Sequence, residues 1–571
     1  MASLHAHIKS CDQTLENMQM MLRGFQDHLG GLSSEIKQLQ GDTLSLNIKL
    51  SNRREAEASI VKFVDSLNFD PSFMSAINDG DVNESYAAPL AELGTRLDFL
   101  VSCKDYASVK ETASMMDRLR VKAASKIKLA LSSRFVGLAQ PRANLTNKQT
   151  ALGGLRFCYQ FLAKHCPDDA AEMRQLYIDT IGLEYFNNIK TYLSALMKLK
   201  EDDVGSSSEL LGTDEVKGSG FFSMGSKSCE DINQNFLLRM RDVILTPADA
   251  DAVAAKFALD RDTKMAYEEI LRHALRLLID FALPEASFLS TFFDHKAMFS
   301  LVMKRVTQYL TDSLETWMSN TNDIIAVMLV IRVINGLQDV GHRRTAAAVA
   351  AADAGAAAKL DAHGAPVFCL DYFFDRLLQF LWPKYQTILD AHKASIHTAK
   401  RIKDKDQPLQ THYVAVRFAW FALAVRVMAR SLPSNRQAAL AAGAPAGVVG
   451  AVPVVVEEQL GRNLVALTKE LELLLAAAVK EIQGPKRQAT FCINNYEFIV
   501  GTLQEREIRE CDELTYFTAA LDKYLAAFVE EELNEKFSRM MTLIKSHAPP
   551  AGAAAGAAAV ADEGARMEVC T

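Results

Sequence analysis

An almost unbroken heptad pattern runs through residues 4–67 and limits what this part of the chain can fold into. Steps of four and three residues from Leu4 reach nineteen positions, of which sixteen are apolar. The residues between them are mostly Gln, Asp, Glu, Lys, Ser and Asn. A mean spacing of about 3.5 residues keeps one stripe facing another helix as the two supercoil. The pattern therefore predicts a coiled coil rather than one helix of an ordinary globular bundle.

The apolar positions of this heptad seam are candidate partner-binding residues. So narrow a stripe with polar flanks cannot be buried by the chain folding on itself alone. The candidates are Leu15, Met18, Leu22, Phe25, Leu29, Leu32, Ile36, Leu39, Leu46 and Leu50. Thr43, Arg53 and Glu57 interrupt the seam, and polar residues at such positions select register and partner. The glycine pair at 30–31 makes a kink plausible, and Pro71 is a candidate for the end of the coil.

The composition of the whole chain narrows the class of protein. Its 571 residues are 49% hydrophobic and 23% charged, which suffices for real cores and about three or four domains. The net charge of −7 comes without a basic stripe or tail, so nucleic-acid binding is not expected. The nine cysteines show no CxxC pairing and favour a reducing compartment over a disulfide framework.

Membrane insertion is not expected from the sequence. The first residues already belong to the amphipathic stripe, and His5, His7 and Lys9 interrupt any apolar core of a signal peptide. Residues 438–456 carry no charge but contain two prolines and three glycines, which favours a flexible loop over a membrane span. We therefore expect no transmembrane segment, and only indirect or peripheral contact with membranes.

Helical periodicity continues through most of the remaining sequence. Helices are predicted at residues 106–138, 149–164, 171–200, 236–244, 264–283, 296–318, 370–402, 410–431, 457–483, 489–509 and 512–546. The run of Ile, Val, Met and Leu at residues 323–335 could also form a buried strand. Its length and its helical neighbours favour a fully buried helix.

The predicted organisation is all-α: an N-terminal coiled coil followed by rod-like stacked helical bundles. The expected parts are a coiled coil for complex assembly at 1–69, a first helical region at 70–200, a Gly/Ser-rich surface linker at 201–235, C-terminal helical bundles at 236–546 with Ala-rich insertions near 345–366 and 438–456, and a disordered Ala/Gly tail at 547–571.

Motifs for catalysis or cofactor binding are not found. The sequence contains no HExxH, no GxSxG and no calcium-binding loop. Residues 220–228 have the gap of a phosphate-binding loop but one residue too many before Lys227, and no hydrophobic strand precedes them. The sequence therefore predicts no catalytic residue and no cofactor.

Two side-chain pairs were candidates for metal or acid–base chemistry. His392 and His397 are five residues apart and do not share a helix face, as a metal pair would. Asp371 and Asp375 share a face, but neighbouring apolar residues such as Phe374 indicate a solvated edge beside a core stripe. No metal site is predicted, and enzymatic activity is not expected.

An ordered set of segments resembles the vacuolar protein sorting fifty-two family. Residues 15–40 and 47–54 resemble the opening coiled coil of that family. Further similar segments are residues 71, 76–84, 177–180, 185–192, 220–223, 326–332, 381–385, 412–419 and 493–496. The segments fall in the family's order and span roughly residues 4–545. The departures are the two Ala-rich stretches and the tail.

This resemblance implies a subunit of the Golgi-associated retrograde protein (GARP) complex. Members of the family join three sister subunits through N-terminal coiled coils and carry rods of helical bundles. The complex tethers endosome-derived vesicles at the trans-Golgi network, promotes SNARE assembly and is recruited by a Rab-type small GTPase. Its subunits also serve a related endosomal recycling complex. The resemblance thus implies a peripheral location on the cytosolic face of the trans-Golgi network and endosomes.

Two other classes of function compete with this one. A homodimeric cytoskeletal or motor cargo adaptor would also use a coiled coil, but it would have longer heptads and weaker cores. The apolar run at 323–335 and the aromatic-rich run at 373–385 favour the tether. An enzyme acting through residues 220–228 is a distant third.

Overall fold

The computed structural model is helical through nearly all the residues that it describes. These are residues 1–67, 70–102, 107–139, 145–201, 209–214, 232–238, 241, 244, 264–295, 297–351, 368–399, 409–430, 452–505, 511–540 and 542. Within them no β-strand forms, and an isolated bridge between Lys200 and Met265 is the nearest approach to one. The predicted all-α fold is confirmed.

The chain divides into two compact units, Met1–Tyr177 and Ile178–Thr571. The N-terminal unit contains α1 (Ala2–Leu67), α2 (Pro71–Asp79), α3 (Ala87–Ser102), α4 (Ala107–Leu138), α5 (Leu145–Gly153) and α6 (Arg156–His165). Helix α7 (Pro167–Met197) contributes residues to both units.

The start of α2 shows how the chain leaves α1. Helix α1 ends at Leu67, and α2 begins at Pro71. Asp70 precedes it in an extended conformation, and its Oδ1 accepts the amide of Ser72 at 3.2 Å. Proline suits the first helical position because the amide it lacks has no intrahelical partner there. Pro71 therefore follows the end of the coil, as expected, and also opens the next helix.

The core of the N-terminal unit lies along one face of α4. Ile127, Leu131 and Phe135 recur every four residues and are all fully buried, as expected for an amphipathic helix. The Phe135 ring packs edge-on against Tyr177 with 5.2 Å between centroids. Gln149 donates a hydrogen bond to the Tyr177 hydroxyl at 3.1 Å. Buried polar groups are thus paired inside this unit.

The helices of the C-terminal unit include, after the end of α7, α8 (Tyr267–Phe292), α9 (Met298–Asn320), α10 (Ile324–Ala351), α11 (Asp371–Thr398), α12 (Tyr413–Arg430), α13 (Val452–Val479), α14 (Pro485–Glu505) and α15 (Asp512–Lys536). Helix α10 packs against α8, α11 and α12. Residues 324–331 are all buried, so the buried helix predicted at 323–335 is confirmed and the strand alternative is wrong.

Buried charges fix the start of α10. Asp323 Oδ1 accepts the amides of Ile325 at 2.9 Å and Ala326 at 3.1 Å. Its other oxygen accepts Arg241 Nη1 at 2.8 Å, and Arg241 Nε donates to Glu268 at 2.6 Å. Both carboxylates are almost fully buried. A buried charge needs such pairing because desolvation is costly, so these contacts join α8 and α10 at defined positions.

One helix among the described residues is long and apolar enough to cross a membrane. It covers Ile324–Ala348 within α10, and 78% of its most apolar window is buried inside the protein. Its packing against α8 and α11 accounts for that composition. The uncharged stretch noted at 438–456 lies outside the described residues up to 451.

Three helix predictions are corrected by the structure. Residues 149–164 form two helices rather than one, because α5 ends at Gly153 and α6 begins at Arg156. Two consecutive glycines disfavour helix at this break. Helix α8 does not stop before Pro284 but continues to Phe292. Buried Phe288 and Phe292 supply packing that outweighs the hydrogen bond lost at the proline.

The third correction concerns residues 236–244. Their described part contains only short 3-10 turns, one of them at Gln234–Phe236, and no α-helix. Phe236 and Leu238 are buried, and the Phe236 ring lies edge-on to the imidazole of His392 with 5.7 Å between centroids. The apolar residues of this segment therefore insert between helices instead of forming a helix face. Helices α2 and α3 were not individually predicted.

Candidate partner-binding surface on the N-terminal helix

Helix α1 presents the heptad seam as one continuous exposed stripe. Ala2–Leu67 is a single helix that runs through the glycine pair at 30–31 without a break. Each of the ten candidate seam residues keeps between 50% and 71% of its side-chain surface exposed. A monomeric protein rarely leaves a contiguous apolar stripe of this length uncovered. An exposed apolar stripe along one face of a long helix is the geometry of one helix of a coiled coil.

The polar residues within the seam differ in what they already bind. The Thr43 hydroxyl donates to the Leu39 carbonyl at 2.7 Å, so its hydrogen-bonding need is met inside the helix. Within the described part of the chain, Arg53 and Glu57 form no ion pair. Two charges at seam positions are costly to bury unless a partner supplies opposite charges.

The C-terminal end of α1 is anchored to the rest of the N-terminal unit by aromatic packing. The Phe63 ring lies edge-on to Phe99 of α3 with 5.6 Å between centroids, a favourable arrangement for two aromatic rings. Towards the other end, the side chains before Phe63 are exposed almost without exception. The helix is thus held at its C-terminal end and free along the seam.

Several segments that carry the family resemblance serve as internal anchors of the C-terminal unit. The His412 amide donates to Asn495 Oδ1 at 2.8 Å, and Asn494 Nδ2 donates to the Leu409 carbonyl at 2.6 Å. The segments 412–419 and 493–496 thereby contact each other at the start of α12. Tyr185 donates to buried Glu285 at 2.8 Å in the same unit. The family resemblance at these segments therefore corresponds to contacts that hold the C-terminal unit together.

Arg417 is the most connected of these anchors. It is fully buried on α12, and its Nη1 donates to the carbonyls of Leu210 at 3.0 Å and Leu211 at 3.1 Å, and to that of Thr213. Its Nε donates to Asn233 at 2.6 Å. One guanidinium offers five donors in a fixed plane, which suits it to gather several backbone carbonyls.

The segment held by Arg417 is a buried part of the predicted surface linker at 201–235. Glu209, Leu211 and Gly212 are buried, and the Gly212 amide donates to Ser395 Oγ at 3.0 Å. A Cβ on Gly212 would lie 2.0 Å from the Ser395 carbonyl oxygen, so only glycine fits this close approach. The sequence suggested a linker from its Gly and Ser content alone. Residues 202–208 and 215–231, which include the segment at 220–228 that resembles a phosphate-binding loop, lie outside the described part.

The structure separates the two histidines considered for chemistry and keeps the two aspartates close, since Gln338 Nε2 donates to Asp371 and, at 3.2 Å, to Asp375. His392 is buried, whereas His397 is exposed and pairs with Glu470 at 3.0 Å. Asp371 is paired with His342 at 2.9 Å and accepts a hydrogen bond from Gln338 at 3.1 Å. Among the described residues, no group of three or more His, Cys, Asp or Glu side chains could hold a metal ion.

Two protein-family models together match most of the chain. The model described as "Vps52/Sac2 family, coiled-coil" matches residues 1–162, and the model described as "Vps52, C-terminal" matches residues 179–351 and 356–529. The chain belongs to the Vps52 family. The coiled-coil match includes all of α1, and the Vps52 C-terminal match includes Arg417 and Asn495.

Curated Vps52 relatives are similar along almost the whole chain. Vacuolar protein sorting-associated protein 52 A of Arabidopsis thaliana is 28% identical over 552 residues, which cover 96% of this chain and 72% of that protein. The human homologue is 27% identical over 554 residues, covering 95% and 70%. The Schizosaccharomyces pombe protein is 21% identical over 522 residues, covering 87% and 91%.

Proposed function

We propose that this protein is a non-catalytic subunit of a vesicle-tethering complex for retrograde transport from endosomes to the trans-Golgi network. It assembles with three sister subunits of the GARP complex through α1 and serves a related endosomal recycling complex. The assembled complex promotes SNARE-dependent fusion and is recruited by a Rab-type small GTPase. It acts as a peripheral protein on the cytosolic face of these membranes.

The observation that carries this proposal is the exposed seam of α1 in a chain of the Vps52 family. The names of the curated relatives place them in vacuolar protein sorting. A 66-residue helix with an uncovered apolar stripe supports the proposal, because a subunit of a complex requires a surface for assembly. Burial of that stripe stabilises the complex by about 25 cal/mol per Å² of apolar surface removed from water.

The first test replaces two seam residues by charged ones in the full chain. We expect Leu22→Asp with Leu29→Asp to abolish assembly, because two carboxylates would have to be buried in the interface without partners. Tagged chain at its endogenous level is purified, and the co-purifying proteins are quantified by mass spectrometry. The unsubstituted chain should recover three helical tether subunits in equal amounts, and a chain lacking residues 1–69 should lose them.

A matched control distinguishes the loss of seam contacts from a general effect of added negative charge on α1. Met20 and Ile48 are exposed apolar residues of the same helix, but their heptad position faces away from the seam. Met20→Asp with Ile48→Asp should leave assembly intact. Undiminished recovery of the partners by the seam variant would show that α1 is not the assembly surface. Recovery of the unsubstituted chain only with itself would favour the cargo adaptor.

A further inference from the structure

The last helix of the C-terminal unit carries a second exposed apolar stripe. Leu525, Val529 and Leu533 of α15 recur every four residues and are 40%, 52% and 38% exposed. Beyond the end of the helix, Phe537 and Met540 are 55% and 61% exposed. Side chains four residues apart lie on the same face of a helix. Leu525, Val529 and Leu533 therefore form one continuous surface, remote in sequence from the seam of α1.

The opposite face of α15 already serves the core of its unit. Phe517 is fully buried, and its ring packs against Phe418 of α12 with 5.8 Å between centroids. Glu513 is buried and accepts both Nε and Nη2 of Arg426, at 2.9 Å and 2.5 Å. Lys486 of α14 pairs with Glu535 at 3.0 Å. Because these contacts fix the orientation of α15, the stripe is held outwards and is not a misplaced core.

An acidic and a basic residue of this face lie on opposite sides of its apolar centre. Asp522, Val529 and Lys536 are seven residues apart, so they occupy the same position in successive pairs of helical turns. All three are exposed. Lys536 pairs with Glu532 of its own helix at 3.2 Å, and no ion pair of Asp522 is found in the described part of the chain. The apolar centre thus has an acid before it and a base after it at equal distances.

We propose that this face of α15 binds α15 of a second copy of the chain in an antiparallel arrangement. A two-fold axis at Val529 places Val529 against its own counterpart and Leu525 against Leu533 of the other copy. The same axis places Asp522 of each copy against Lys536 of the other. A two-fold interface must be self-complementary in this way, and opposite charges at its ends support one register.

The alternative arrangement fits the face less well. A parallel pair would bring Asp522 against Asp522 and Lys536 against Lys536, which is repulsive at both ends. A pair of single helices buries less surface than a standard stable interface, so the contact is weak and reversible.

Site-specific cross-linking in the full chain tests the contact directly. The background variant carries Leu22→Asp and Leu29→Asp, which prevents association through the seam of α1. Unlabelled and nitrogen-15-labelled chains bearing Val529→Cys are mixed and gently oxidised, and mass spectrometry quantifies disulfides that join residue 529 of one chain to residue 529 of another. Ala527→Cys is the matched control, because Ala527 is exposed but points about 160° away. Only Val529→Cys should give abundant mixed disulfides.

A charge exchange distinguishes this register from a random collision. Adding Asp522→Lys to the Val529→Cys chain should lower the yield of mixed disulfide about fivefold, because two attractive pairs become repulsive. Adding Lys536→Asp as well should restore the yield. The proposal is wrong if the Val529→Cys yield does not exceed that of Ala527→Cys, or if the double exchange fails to restore it. Cross-linking of residue 529 to a different polypeptide in complexes isolated from cells would also overturn it.

Discussion

His392 is a residue whose role depends on its surroundings and not on its chemistry. It is fully buried on α11, and its Nδ1 accepts the amide of Leu211 at 3.2 Å. Burial, with a smaller contribution from Arg417, lowers the pKa of His392 to about 3. The imidazole is therefore neutral in the folded protein at all ordinary pH values. Protonation of Nδ1 would remove the acceptor of the Leu211 amide. Low pH should therefore destabilise the segment that Arg417 binds.

The sign of the resulting pH dependence follows from proton linkage. The unfolded chain binds a proton at His392 below its ordinary pKa of about 6.5, whereas the folded chain does so only near pH 3. The free energy of unfolding should therefore fall by about 1.4 kcal/mol per pH unit as pH decreases below 6.5. Urea unfolding of wild type and His392→Asn at pH 7 and pH 5, followed by tryptophan fluorescence, measures this contribution.

Tryptophan fluorescence suits this measurement because all three tryptophans, Trp317, Trp382 and Trp420, lie in the C-terminal unit. In His392→Asn the amide oxygen can still accept the Leu211 amide, but it does not titrate. The variant should lose about 2 kcal/mol less than wild type between pH 7 and pH 5. Equal losses in the two proteins would show that His392 does not control acid stability.

The roles of single residues such as Arg417 could not be predicted from the sequence. The carbonyls that Arg417 binds lie more than 200 residues earlier in the chain, and no local pattern reports so distant a contact. Asn495 is similar, since its partner amide belongs to His412. Both residues lie in segments that carry the family resemblance, but the resemblance gives no physical reason for either.

Elements were predictable where their periodicity is local and long. The seam of α1 spans many heptads and needs no knowledge of the rest of the fold, so the long helix could be predicted from the sequence. Its role in binding partners stays a prediction. Short elements depend on their neighbours instead. The apolar residues at 236–244 have helical spacing, yet Phe236 packs against His392 and the described residues form no α-helix.

The glycine pair in α1 offers a test at this scale. Gly30 and Gly31 are helical, and a Cβ at either position would meet no atom within 4 Å. Gly30→Ala with Gly31→Ala should stabilise this part of α1 by about 1 kcal/mol per substitution. Hydrogen exchange of the amides around residues 25–36, read by mass spectrometry, should slow in the variant while assembly is retained. Faster exchange or lost assembly would show that the pair is needed as a bend in the complex.

At the scale of the whole molecule, composition and helical periodicity were sufficient for the fold class. They did not reveal that the chain divides within α7, between Tyr177 and Ile178, because a continuous helix carries no linker signal. Nor did they reveal the burial of Glu209 and Leu211 inside a stretch rich in Gly and Ser. Both features are set by tertiary packing, which overrides local composition.

The seam and the tryptophans belong to different units of the chain, which leads to a prediction for the complete protein. Leu22→Asp with Leu29→Asp changes residues that are exposed on α1. The tryptophan signal in urea reports on the unfolding of the C-terminal unit. The free energy of unfolding obtained from it should therefore change by less than about 0.5 kcal/mol. A large decrease would mean that assembly defects in this variant arise from unfolding and not from a lost interface.

The uncovered stripe on α1 also has a consequence for how much of this protein a cell can keep. A chain synthesised without its partners shows an apolar stripe such as chaperones and degradation systems recognise on incomplete proteins. Supply of the chain should thus be limited by the scarcest partner. In a pulse–chase experiment, depletion of one partner should shorten the half-life of the wild-type chain, whereas the chain lacking residues 1–69 should be indifferent. The cellular amount of this protein would then be set by the amount of assembled complex rather than by the expression of its own gene.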